Sequence, residues 1–119
     1  MNQDKDREHR IDMEIVVDAY SDNERAMGWY YYLEGKMTFP VKARCKTKRA
    51  ISPIKAGEVV TIRGMAPEDE CESEVLVLID YADDSLAVPL AQLVSLSKDQ
   101  ETNEAIEDWH YWVAQGYQF

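Results

Sequence analysis

The sequence predicts an α+β protein. Helical periodicity with capping residues marks both ends of the chain, and five short β-rich pieces lie between residues 39 and 97, each bounded by turn-forming residues. A length of 119 residues with a hydrophobic fraction of 45% is enough for one core, which predicts a single domain spanning residues 1–119.

Residues 1–10 are mostly charged and carry no apolar period, so a flexible end is expected there. Residues 11–38 read as an N-terminal helical region with an ambiguous start. Ile11, Met13, Ile15, Val17 and Ala19 alternate as in a strand, while a short helix also fits. In the extended form Asp12, Glu14 and Asp18 would share the opposite face. Ser21 to Gly35 is a clearer helix: Ser21 caps it, Glu24 three residues on completes a capping box, and Gly35 offers a left-handed stop. Ala26, Tyr30, Leu33 and Met37 then fall on one face.

The β-rich pieces are Phe39 to Cys45, Glu58 to Met65, Val75 to Tyr81, Leu86 to Val88 and Leu93 to Leu96. Ser52-Pro53 and Ala56-Gly57 break the first pair, Pro67 and its acidic followers the second, and Asp83-Asp84-Ser85 the third. The closing AVPLAQLVSL allows a strand, one helical turn and another strand, the ending of SH3-like barrels. A small SH3-like five-stranded β-barrel over residues 39–97, flanked by N- and C-terminal helices, is therefore expected. Residues 98–119 form the last helix, capped by Thr102 or Asn103 and running to Gln115. Ile106, Trp109 or His110, and Val113 would face inward, and Gly116 would end it. The aromatic runs of the two helices, Trp29 to Tyr32 and Trp109 to Trp112, read as packing against the sheet.

The net charge of −10 is segregated. Residues 41–63 carry seven bases and one acid, whereas residues 64–97 carry eight acids and no base. Carboxylates packed without internal cations call for a counter-charge from elsewhere, and small hard cations supply it. The densest group is Glu68, Asp69, Glu70, Glu72 and Glu74, five carboxylates in seven residues of an inter-strand loop. Asp80, Asp83 and Asp84 form a second group at the far end of the following strand. Asp12, Glu14 and Asp18 are a third set if that segment is extended. These residues are the candidate calcium ligands, since calcium takes six to eight oxygens from carboxylates, carbonyls and water. The same acids also suit solvated loops, and the sequence leaves that alternative open. An EF-hand is absent: in the nearest stretch, starting at Asp4, His9 stands where glycine must turn the loop and Ile15 where the bidentate glutamate belongs.

Other chemistries find less support. Cys45, Cys71, His9 and His110 form no close pair of the kind zinc needs. No glycine-rich phosphate loop and no nucleophile context are present, so no enzyme is expected. Lys42, Arg44, Lys46 and Lys48 would line one face of a strand, but the overall charge and the lack of interleaved aromatics argue against nucleic acid. No run approaches the ~18 apolar residues of a membrane span, and the charged N-terminus is unlike a signal peptide. A cytoplasmic protein with reduced thiols at Cys45 and Cys71 is the expectation.

Taken in order, the segments RIDMEIVVDAY, ERAMGWYYYLE, FPVKARC, GMAPEDEC, LAVPLAQL and AIEDWHYW resemble the small acidic calcium-binding protein family of cyanobacteria associated with heterocyst differentiation. The resemblance runs from about Arg10 to Phe119. It implies a cytosolic, non-EF-hand protein without catalysis that binds calcium ions reversibly and so sequesters or buffers them. The alternative is an SH3-like module that binds a protein partner with no need of metal.

Overall fold

The computed structural model describes residues 5–16, 21–49, 52–71 and 74–115, with the backbone alone at 22, 69 and 70. Helix α1, Lys5–Arg10, runs directly into one π-helical turn, Ile11–Ile15. Over Ile11–Ile15 this decides against the strand, while Val17 and Ala19 of the same pattern lie outside the described residues. Ile11 and Ile15 are both buried while Met13 is 58% exposed, so the inward spacing is four residues rather than two. Asp12 and Glu14 consequently do not share a face.

Helix α2, Asp22–Lys36, begins as expected: Ser21 Oγ accepts the Glu24 amide at 3.1 Å. It ends differently. Gly35 lies within the last turn, and Met37, in extended conformation, closes the helix with its amide on Leu33 O. Gly28 has the more specific role, because a Cβ there would run into the carbonyl of Ile15 where α2 crosses the π turn.

Five antiparallel strands follow: β1 Val41–Cys45, β2 Val59–Met65, β3 Leu76–Tyr81, β4 Asp84–Pro89 and β5 Leu93–Ser95. Their order is β4-β3-β2-β1-β5. A one-turn 3-10 helix, Leu90–Gln92, separates β4 from β5 as the sequence implies. The α+β class holds, but the expected barrel does not close, because β4 and β5 lie at opposite ends of the ladder and share no pairing. Strands β1 to β3 turn alternate side chains inward over most of their length, whereas β4 passes from an exposed start to a buried end at Val88 and Pro89. Val41, Ala43 and Cys45 on β1, Val60 and Ile62 on β2, and Val77 and Ile79 on β3 are buried, with Trp29 and Leu33 of α2 also in the core.

Helix α3, Gln100–Ala114, starts earlier than expected. Asp99 is its cap, accepting from both the amide and the hydroxyl of Thr102, at 2.9 and 2.6 Å. Thr102 itself is buried and accepts the Thr38 amide. Ile106 and Trp109 face inward as expected, but Trp112 takes the place assigned to Val113, which is exposed. Trp29 meets Trp109 edge-on with ring centroids 5.1 Å apart, locking α2 to α3. Gly116 and the residues after it lie outside the described residues. No helix among the described residues is long and apolar enough to cross a membrane.

Candidate metal-binding sites

The β2–β3 connection is a closed excursion. The Ala66 amide bonds Leu76 O at 3.1 Å, drawing its ends together, and the Cys71 thiol is buried beside the Leu76 backbone. Within it Glu68–Cys71 forms a 3-10 turn. Glu68 is exposed, and its carboxylate accepts a 2.5 Å hydrogen bond from Tyr31 Oη on α2. Holding that proton raises the phenol above its ordinary range, with desolvation and the nearby acids adding to the shift. Asp69 and Glu70 belong to the same turn, their side chains outside the described atoms, and Glu72 lies outside the described residues. Glu74 is already paired: Arg49 donates to both its oxygens, at 2.9 and 3.0 Å. The guanidinium is pushed upward chiefly by this bond.

The second group sits on the β3–β4 hairpin. Tyr81 faces Asp84, leaving Ala82 and Asp83 as a two-residue turn with Ala82 at φ +55°. Asp84 accepts the Ser85 amide at 2.8 Å. Asp83 has no side-chain partner among the described residues. Asp80 faces Ser85 across the ladder and is held by Arg63 on β2, with Nε at 2.8 Å and Nη2 at 2.7 Å. That hydrogen bond is the main reason its carboxyl lies below the usual range. Asp80, Ala82, Asp83, Asp84 and Ser85 line one open concavity. Strand β3 spans about 17 Å at 3.4 Å per residue, so the loop and the hairpin are separate places.

The third set is not assembled. Asp12 and Glu14 are both exposed on the π turn, and Asp18 lies outside the described residues. Asp12 instead shares a cleft with Glu8, Ile11, Tyr111 and Trp112. Glu8 is a carboxylate the sequence reading passed over, although its spacing of four residues from Asp12 on a helix was the clue.

Two of the eight acids in residues 64–97 thus obtain their cation from the basic stretch 41–63, through Arg49 and Arg63, a pairing that counting charge by segment could not show. Among the described residues no three His, Cys, Asp or Glu side chains converge on one point. The donors are hard carboxylate oxygens, the type calcium accepts, spread over turns rather than fixed in a rigid cage. The softer donors serve packing: Cys45 Sγ donates to Thr47 O, and His110 Nε2 lies 2.6 Å from Leu93 O.

Comparison with known proteins bears on this chemistry. A family model described as calcium binding, Calci_bind_CcbP, matches residues 9–113. The crystal structure of Anabaena CcbP is similar at 42% identity, covering 100% of this chain and 98% of that one, with a TM-score of 0.88. A structure described as a calcium-binding protein in the calcium-binding form is similar at 41% identity, covering 98% of this chain and 96% of that one, with a TM-score of 0.87. The comparison with curated proteins gave no match. The resemblance carried by GWYYYLE, GMAPEDEC and DWHYW is therefore one of membership: the chain belongs to the CcbP family of calcium-binding proteins.

Proposed function

We propose that this chain binds calcium reversibly through acidic groups outside any EF-hand, and so buffers or sequesters cytoplasmic calcium during the calcium signalling that accompanies cell differentiation. The carrying observation is the likeness to the calcium-binding form of a relative, 41% identical over 98% of this chain. Hard-oxygen donors cluster in two strand connections of the same fold.

In the β2–β3 loop Glu68, Asp69, Glu70 and Glu72 are the proposed ligands. Asp83 and Asp84 of the hairpin form a second, smaller donor set. Glu74 and Asp80 each have an arginine to surrender before they can join a site. Bound calcium would supply the positive charge that the loop lacks internally. Without it the carboxylates repel one another, and Tyr31 holds Glu68 in place. Because binding favours the folded chain over the unfolded one, stability rises with free calcium by mass action. The chain acts as one domain and needs no catalytic group for this role.

Isothermal titration of chelator-treated protein with calcium tests the reading, repeated on the combined variant Glu68→Gln, Asp69→Asn, Glu70→Gln. Binding in the parent and its loss in the variant support it. Absence of heat in the parent removes calcium binding, while unchanged binding in the variant moves the site away from the loop.

A further inference from the structure

The outer face of the sheet carries a combination that the calcium reading does not use. Arg44 on β1 stands opposite Val59 of β2 on one side and Val94 of β5 on the other. Lys42, two residues away on the same face, stands opposite Thr61 and receives the Leu96 amide on its carbonyl. Val59, Val94 and Leu96 are 50%, 36% and 42% exposed, unusual for aliphatic side chains grouped around two cations. Arg10, Arg49 and Arg63 each hold a carboxylate, whereas Arg44 has no ion pair among the described residues and Lys42 acts on Asp80 only through its charge, behind Arg63.

We infer that this face docks an acidic segment of a partner protein. The charge complementarity is local, because screening limits it to about 8 Å at physiological salt, so the net −10 is largely unfelt at contact. Neighbouring strands are about 4.8 Å apart, which puts Val94 and Val59 about 10 Å from each other with Arg44 between them. An extended segment with a carboxylate flanked by apolar residues at alternate positions crosses the strands in that order. A second carboxylate reaches Lys42. Arginine between aliphatic side chains suits a protein interface, where an ion pair is sheltered by apolar contact. Nucleic acid is the poorer fit, since Arg44 and Lys42 have no aromatic ring between them for a base to stack on.

The probe is a fluorescein-labelled peptide in which serine alternates with leucine, glutamate, leucine, glutamate and leucine, read by fluorescence anisotropy in EDTA at about 0.15 M ionic strength. EDTA makes the result independent of calcium binding. Saturable binding is expected, weakened about tenfold or more by Arg44→Glu and about threefold or more by Val59→Ser. Lys55→Glu, the same charge change at an exposed position in the β1–β2 connection, is expected to alter it by less than about twofold. All three side chains are exposed, and matching melting curves verify that the variants fold.

Absence of saturable peptide binding overturns the inference, as does equal weakening by Lys55→Glu, which would reduce the effect to net charge. An oligothymidylate that binds more tightly than the peptide and is lost in Arg44→Glu would reassign the face to nucleic acid. A dimer by sedimentation that Arg44→Glu disperses would assign it to a second copy of the chain. Either result overturns the acidic-partner reading.

Discussion

Tyr31 Oη on helix α2 donates to the Glu68 carboxylate in the β2–β3 loop, tying a helix outside the sheet to the most acidic part of the chain. The bond places one carboxylate of the proposed calcium loop under the control of a neutral phenol.

Removing that phenol is expected to favour calcium. In Tyr31→Phe, Glu68 no longer exchanges a hydrogen bond for an ion, and calcium affinity should rise about twofold to fivefold by titration calorimetry. The phenol offers a direct optical reading as well. Its titration lies above 10.0 in the folded chain, so the contact with Glu68 is fully present below the unfolded phenol range and is lost as pH rises through the folded value. Saturating calcium should bring the titration back toward 10.0 in the ultraviolet spectrum. A tyrosine titration indifferent to calcium would separate Glu68 from the site.

Arg49 and Glu74 give a second test. Their two-point pair is partly exposed, with Arg49 at 38% and Glu74 at 28%, so its loss in Arg49→Gln should cost only about 0.5 to 1 kcal/mol of stability in urea melts. The same change releases a carboxylate beside the loop and removes a cation. Calcium affinity should therefore increase about threefold or more. A fall in affinity would show that Arg49 positions the loop instead of competing with it.

Asp108 is expected to matter for the fold and not for calcium. It is fully buried on α3, accepts both Arg10 nitrogens at 2.7 and 2.9 Å, and also accepts Tyr32 Oη at 2.9 Å. Asp108→Asn leaves Arg10 with only the more distant Glu104 carboxylate, at 3.9 Å, and should destabilise the chain by about 3 kcal/mol. The melting temperature should fall by about 10 °C. Calcium affinity at temperatures where the variant is folded should match the parent, and a loss there would tie α1 to the metal chemistry.

The strands were legible because Pro67, Gly57 and Asp83 interrupt β-rich runs at the positions where the chain turns, although Asp84 and Ser85, expected as turn residues, begin β4. Ser21 was legible as a cap for the same local reason. Asp99 was not: Asp99, Thr102 and Asn103 are all capable of capping a helix, and only the packing of Thr102 against Thr38 selects among them. Ile11 and Ile15 fit a period of two and a turn of helix equally well, so the exposure of Met13 decided what the pattern left open. The acidic clusters themselves could be read directly, but their partners could not. Arg49 meets Glu74, and Arg63 meets Asp80, across 25 and 17 residues of chain, and Arg63 does so where the β2–β3 register shifts.

His110 sets an acid-side dependence. Burial is the largest cause of its lowered pKa, with the charge of Lys46 second. The folded chain therefore keeps the ring neutral where the unfolded chain protonates it. Stability is full above about 6.5, the unfolded histidine value, and declines as pH falls below it, by at most about 1.4 kcal/mol per pH unit. Urea melts between pH 7.5 and 5.5 should show that slope, and His110→Gln should flatten it. An equal slope in the variant would assign the pH dependence to other groups.

The most direct measurement is the melting curve of chelator-stripped protein in EDTA, in magnesium and in calcium at equal concentration and ionic strength. Calcium is expected to raise the melting temperature well above both other conditions, because carboxylates spread over turns suit its flexible shell while magnesium gives up water reluctantly. Three superimposable curves would contradict calcium binding by the folded chain.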